Sequence, residues 1–333
     1  MNVFFIGLGY MGRERFKILK SLSKRYKLNF SGYYDPYNKS LIYKNKEFFS
    51  EKNFKKSLLI KKKISFCIIS TPHNLVMKYS KICLNSQLPL TLLIEKPLGL
   101  NYNQAKEIVR CKRKNQKIFV GLNYRFFSGI TKLLSHIKQK KFGKINSIQI
   151  NFGHGHEPNI LKSWKLKKKY AGGGVILDPG IHILNLLQFI DKTIKVEFVK
   201  KTKNFWKTNV EQDVVLILKS RSIPIINISL SIMKWRSTFE IHGNGSQGYW
   251  RVSGRGRSYG NQTYTIGKRW GWRSGKKQKN TEKILSVSNE NDVFKKEMIS
   301  ILNKIKKKKN FLDPCSDLEA LSTMRLIKKI YET

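Results

Sequence analysis

The feature that most constrains this chain is Gly7-Leu8-Gly9-Tyr10-Met11-Gly12, a GxGxxG spacing set between a short apolar run at 3–6 and a helix-like segment at 11–23. A strand that feeds a glycine turn and then a helix begins a dinucleotide-binding sheet. The first glycine permits the tight turn. The second lets the backbone approach a pyrophosphate, and the third lets helix and strand pack closely. The phosphates would sit at the positive helix N-terminus. Gly7, Gly9, Tyr10, Met11 and Gly12 are therefore cofactor-binding candidates. Asp35 lies 23 residues after Gly12, at the end of a second strand-like run. A carboxylate there accepts hydrogen bonds from adenosine ribose hydroxyls and repels a 2′-phosphate, which favours NAD over NADP, although Lys39 can blunt the preference. The plainer alternative is a glycine turn with no ligand.

The rest of the first 122 residues alternates between two periods. Strand-like runs at 28–34, 64–70, 89–94 and 117–122 are separated by helix-like segments, among them 74–86 and 101–114. The run ISFCIIS at 64–70 is uncharged and Ile-rich, as expected for a strand buried on both faces. This alternation argues for an α/β, doubly wound parallel sheet of Rossmann type. In the second half, runs at 145–152, 194–200, 213–219, 224–232, 238–242 and 248–253 read as strands, and few helices separate the last four. That is the pattern of an α+β domain with an antiparallel sheet. Helices at 292–307 and 317–331 close the chain. A length of 333 residues suits two domains. The expected division is 1–122 for the NAD-binding Rossmann domain and 123–333 for substrate binding and oligomerisation.

Composition adds a question about partners. The chain has 66 Lys+Arg against 21 Asp+Glu, a formal charge of +45. Such a charge speaks to solubility and partners, not to fold. It raises nucleic acid, an anionic membrane surface or an anionic substrate. It also fits A/T-rich codon usage, because the excess is mostly Lys. Cys67, Cys83, Cys111 and Cys315 show no CxxC and no paired spacing, which points to a reduced, cytoplasmic protein without a thiolate zinc site. No apolar run approaches the ~18 residues that span a bilayer, so no membrane span is expected.

Two further motifs carry chemistry. Glu95-Lys96-Pro97 ends the fourth strand-like run, and ligands bind at the carboxyl ends of strands in an open parallel sheet. A lysine there can stabilise negative charge on a substrate oxygen; alternatively it is solvated beside a proline turn. In GGGVILDPGIH (172–182), Asp178 and His182 are four apart and would share one face of a helix. Histidine can shuttle a proton near neutral pH. The alternative makes Asp178-Pro179 an N-cap and N1 pair and His182 a packed core residue.

With GLGYMG, Ser70-Thr71-Pro72, EKP, Gly121-Leu122-Asn123-Tyr124-Arg125-Phe126 and AGGGVILDPGIH in this order, nearly the whole chain resembles the Gfo/Idh/MocA oxidoreductases. The resemblance implies a Rossmann domain followed by a domain with a large open antiparallel sheet, which commonly forms a homodimer or homotetramer interface. It implies that Lys96, Asp178 and His182 are catalytic. The histidine exchanges a proton with the substrate hydroxyl, Lys96 polarises the same oxygen, and Asp178 supports the histidine or contacts the substrate. It places Tyr124, Arg125, Trp164, Lys165 and Asn185 in the sugar pocket with Lys96, Asp178 and His182, and Thr71, Pro72, Glu95 and Lys96 beside the cofactor. Relatives often carry a histidine at the position of Val76; here His73 follows Pro72 directly. Lys165 stands where relatives often have Arg.

Two signals remain. His154-Gly155-His156-Glu157 could ligate a metal but lacks a third distant ligand, so no metal site is expected. Residues 251–283 hold ten basic residues and one acid, with Tyr259, Tyr264, Trp270 and Trp272 among them. Such a segment suits single-stranded nucleic acid, the diphosphate of a nucleotide-sugar, or an exposed hairpin. The expected function is NAD(H)-dependent hydride transfer to or from a sugar, nucleotide-sugar or cyclitol, in carbohydrate or surface polysaccharide biosynthesis. The alternatives are a non-catalytic NAD-sensing regulator on the same fold and nucleic-acid binding through 251–283.

Overall fold

A computed structural model describes residues 1–333 apart from 39, 44–45, 156–157, 204, 269–281 and 290–291. The chain forms two compact units. The first comprises Met1–Asn123, Lys169–Gly172 and Phe294–Arg325; the second comprises Tyr124–Lys168, Gly173–Val293 and Leu326–Thr333.

The first unit contains β1 (Asn2–Ile6), β2 (Asn29–Tyr34), a two-stranded ribbon of β3 (Ser40–Tyr43) and β4 (Lys46–Phe49), then β5 (Phe66–Ile69), β6 (Thr91–Ile94) and β7 (Lys117–Val120). The main sheet has the order β2-β1-β5-β6-β7 and is parallel throughout. All residues of β5 and β6 are buried, as a strand covered on both faces requires. The strand order reverses between β1 and β5. Their carboxyl ends form the switch point where ligands of such sheets bind. The glycine turn follows β1, and Ser70-Thr71-Pro72 follows β5.

The second unit is built on an eight-stranded sheet of β8 (Ile145–Gly153), β9 (Lys195–Thr202), β10 (Asp213–Lys219), β11 (Ile225–Ser231), β12 (Thr238–Gly245), β13 (Gly248–Ser253), β14 (Gln262–Gly267) and β15 (Lys283–Ser288). Its order is β15-β14-β13-β12-β8-β11-β10-β9. β10 alternates buried and exposed residues, so one face of the sheet forms a core with Val214, Leu216, Ile228 and Phe152. The helices Ser128–Lys138 and Ile181–Ile190 belong to this unit.

The structure departs from the sequence reading at three points. The large sheet is mixed, because β8 and β11 run parallel while its other pairs are antiparallel. Alternation alone carries no strand direction, so this pairing had no signature. The strands β3, β4, β14 and β15 were not anticipated. Most consequentially, Phe294–Arg325 belongs to the first unit. The helix Val293–Ile305 turns Met298, Ile301 and Leu302 into the cluster that holds Phe5, Phe16, Leu19 and Leu22. All three are fully buried. Met298→Ala should therefore cost about 2–5 kcal/mol, read as a lower urea midpoint.

Candidate active site

At the switch point, Gly7 has φ +89°, and a Cβ there would meet the Ser70 carbonyl oxygen at 2.5 Å. A Cβ on Gly12 would collide with the Gly7 carbonyl oxygen. Gly9 is different: a Cβ there meets nothing within 4 Å. The first and third glycines are closed by packing and the second lies open. The helix Tyr10–Tyr26 begins at Gly9, with no side-chain cap and no acidic residue in its first turn. Such a helix start favours an anion like a diphosphate. Beside it, Ser70 Oγ and Thr71 Oγ1 are buried without a hydrogen-bond partner among the described residues. This donor set fits a dinucleotide.

Asp35 is 5% exposed, and both of its oxygens are engaged. Leu8 N donates to one at 2.6 Å; Tyr37 N at 2.8 Å and Asn38 N at 2.9 Å donate to the other. Burial acts to raise its pKa, but the three backbone donors outweigh burial and hold the carboxyl below its ordinary value. Asp35 is thus an ionised anchor that ties the glycine loop to the end of β2. Lys39 lies outside the described residues.

Lys96 follows β6 and precedes a cis bond to Pro97. Its neighbour Glu95 takes part in a buried charge cluster. The Glu95 carboxylate pairs with Arg15 Nε at 2.6 Å, and Arg15 Nη1 pairs with Glu297 at 2.6 Å. The side chains of Arg15 and Glu297 have no exposure. Burial on its own lowers the guanidinium's pKa; Glu297 and then Glu95 outweigh it and hold the group above its ordinary value. Three elements of the first unit therefore meet on one cation: the helix after the glycine loop, the loop carrying Lys96 and the helix Val293–Ile305. Neither Arg15 nor Glu297 had a signal in the sequence beyond being a charge on the apolar side of a helix.

The second unit gathers the other expected residues into a cluster. Tyr124, in the 3-10 turn Tyr124–Phe126, stacks on the His182 ring with centroids 4.1 Å apart and planes 9° apart. Burial raises the pKa of the Tyr124 hydroxyl, and Arg255 partly opposes this. Lys165 Nζ pairs with Asp178 at 3.0 Å. Attraction to Asp178 raises the Lys165 pKa against partial burial. Arg125 Nη2 donates to Asn185 Oδ1 at 3.1 Å, and its guanidinium lies 4.3 Å from the Phe189 ring centroid. Both members of that pair are buried. Trp164 and Lys165 share a 3-10 turn capped by Ser163, whose Oγ accepts from Lys165 N.

Asp178 and His182 do not share a helix face. The helix runs Ile181–Ile190 with Gly180 as N-cap, so His182 lies in its first turn and Asp178 precedes it. Asp178 N donates to Gly174 O and Gly180 N to Val175 O, both at 2.8 Å, closing a separate turn around Asp178. The spacing of four is the same, but a turn delivers it. Asp178 is also not the N-cap.

Glu211 anchors this turn. Its Oε1 accepts from Gly174 N at 2.9 Å, Ile176 N at 3.1 Å and the Tyr331 hydroxyl at 2.8 Å. A Cβ on Gly174 would collide with the Glu211 carbonyl oxygen. The glycines before Asp178 thus serve close packing. His154 lies near Tyr259, with ring centroids 6.4 Å apart. His156, Glu157 and residues 269–281 of the basic segment lie outside the described residues.

Two family models match the chain. One, an oxidoreductase family with an NAD-binding Rossmann fold, covers residues 1–124; the other, a GFO/IDH/MocA C-terminal domain, covers residues 130–249. The chain belongs to the GFO/IDH/MocA oxidoreductase family. Within the reach of this family, trans-1,2-dihydrobenzene-1,2-diol dehydrogenase of Xenopus tropicalis is 28% identical over 129 residues, 38% of this chain and 38% of that protein. The match spans well under half of that relative's length. Among solved structures, the WlbA dehydrogenase from Bordetella pertussis in complex with NADH and UDP-GlcNAcA superposes with TM-score 0.76 at 14% identity, covering 100% of this chain and 95% of that one. Levoglucosan dehydrogenase in complex with NADH and levoglucosan gives TM-score 0.80 at 13% identity, covering 100% and 96%. At these identities the GFO/IDH/MocA architecture is what is shared.

The buried Arg15 cluster generates a stability prediction. Arg15→Met leaves two carboxylates without their cation, so unfolding free energy should fall by about 3–5 kcal/mol. Chemical denaturation measures it, and a loss under 1 kcal/mol would contradict the assigned role.

Proposed function

We propose that this protein is an NAD(H)-dependent dehydrogenase of sugars, nucleotide-sugars or cyclitols. A nicotinamide dinucleotide, when bound, would supply the hydride acceptor or donor. Gly7, Gly9, Tyr10, Met11 and Gly12 would hold its diphosphate, and Thr71 and Pro72 would flank it. Asp35, kept ionised by backbone donors, accepts from the adenosine ribose hydroxyls and disfavours a 2′-phosphate, so NAD is the preferred form. Glu95 acts indirectly in this reading, by fixing the loop of Lys96 through Arg15.

In the chemical step, His182 takes the proton from the substrate hydroxyl as the carbon loses hydride, and returns it in the reverse direction. Lys96 donates to the same oxygen and stabilises its developing charge. Asp178, held by Lys165, orients the substrate or supports the charged histidine. Tyr124, Arg125, Trp164 and Asn185 shape the sugar site. The observation that carries the reading is the stacking of His182 on Tyr124, which fixes the imidazole plane of a titratable group 8% exposed.

A second copy of the chain is the proposed partner. Phe198, Val215, Ile217 and Ile225 are exposed and lie on one face of the large sheet by register, and burying them favours association. Among the described residues no helix is long and apolar enough to cross a membrane. The cysteines are free thiols, which fits the proposed cytoplasmic location.

Lys96→Ala and His182→Ala should each lower turnover of the best sugar by at least about 100-fold, while NADH binding by fluorescence stays within threefold of the parent. Retained turnover in both overturns the mechanism. The parent should use NAD at least tenfold better than NADP. Light scattering should give a mass of two or four chains.

A further inference from the structure

We propose that Arg255 recognises an anionic group, a carboxylate or a phosphate, on the sugar substrate; this rests on the dehydrogenase reading above and narrows its substrate class. Arg255 follows β13 and lies between Gly254 and Gly256, both with positive φ. Backbone bonds pin the loop on either side: Gly254 N donates to Phe239 O at 2.8 Å, and Gly256 N to Gly260 O at 2.7 Å. The side chain does not extend into solvent as surface arginines do. Its guanidinium carbon lies 4.0 Å from the Tyr259 ring centroid, 5.5 Å from that of Phe152 and 5.6 Å from that of Tyr124.

Tyr124 is the ring that stacks on His182. One aromatic side chain thus touches both the proposed proton-exchanging histidine and this cation. Arg255 Nε is sealed from solvent with no hydrogen-bond partner, and no carboxylate lies within ion-pair distance of the group among the described residues. A guanidinium partly removed from water is normally paired. Aromatic faces offset part of that cost but supply no counter-charge. Burial lowers the Arg255 pKa; the two tyrosines and Asp178 raise it by more, so Asp178 is within electrostatic range. The cation is therefore fixed beside the reacting group, charged, with donors that a planar anion can fill in bidentate fashion.

A packing role predicts something else. A cation that merely covers Tyr124 and Tyr259 affects neutral and anionic sugars alike, whereas an anion receptor separates them. The experiment titrates NADH-loaded protein calorimetrically with D-glucose, D-glucuronate and D-glucose 6-phosphate, for the parent, Arg255→Met and Arg255→Lys. At least one anion should bind at least tenfold tighter than glucose to the parent. The ratio should collapse to about one in Arg255→Met and be partly kept in Arg255→Lys, which retains charge without the planar fork. Preference for glucuronate assigns a carboxylate, and preference for the phosphate assigns a phosphoryl group. Absence of any anion preference in the parent, or a ratio unchanged in Arg255→Met, overturns the proposal. A parent that shows the preference but reduces NAD with none of the sugars overturns hydride transfer and leaves the anion site standing.

Discussion

The first unit is organised around a cation that water never reaches. Arg15 brings together Glu95 and Glu297, two carboxylates from distant parts of the chain. Each group alone would be costly to bury, so the three are stable only together. The cost is the source of its specificity: any arrangement that moves one of the three helices or loops strands a charge in the core. Because Arg15 lies one and a half turns into the helix that opens at Gly9, the same contact that fixes the Lys96 loop also fixes the mouth of the proposed cofactor site. Asp35 does the corresponding task on the other side of the glycine loop, through backbone donors.

In the second unit, aromatic planes run beside the ion pair of Lys165 and Asp178. His182, Tyr124, Phe152, Phe239 and Tyr259 form a chain of ring contacts. The stack on Tyr124 holds the imidazole plane within 9° of the phenol ring. In the turn before it, Glu211 collects two backbone N–H groups and a tyrosine hydroxyl.

What was legible in the sequence followed from how local each constraint is. The glycine loop is six consecutive residues whose spacing is dictated by close backbone contacts, and the structure reproduces those contacts at Gly7 and Gly12. The buried strands β5 and β6 were readable from apolar runs. Glu95 was expected beside the cofactor; its ion pair with Arg15, 80 residues away, is a contact that nothing in a tripeptide announces. The spacing of Asp178 and His182 was read as one helix face, and a turn closed by Gly174 and Val175 carbonyls produces it instead. Helical periodicity at 293–305 showed an apolar face but could not say whose core it fills. Cys67 and Cys83 share no motif, yet β5 and the helix His73–Leu84 bring their sulfurs to 3.9 Å as buried thiols.

The discontinuity of the first unit has a consequence for how the chain matures. A ribosome that has finished residues 1–123 has made all of the parallel sheet but not Met298, Ile301 or Leu302, and Arg15 then has only one of its two acids. The nascent Rossmann half emerges with part of its core uncovered and a cation short of an acid. Most of the second unit, residues 124–168 and 173–293, is synthesised before the missing helix arrives. Domains usually mature in order from the N-terminus; here the unit begun first is completed only after most of the second has been made. The nucleotide loop thus acquires its final support only near the end of synthesis, which ties cofactor competence to translation of nearly the full chain.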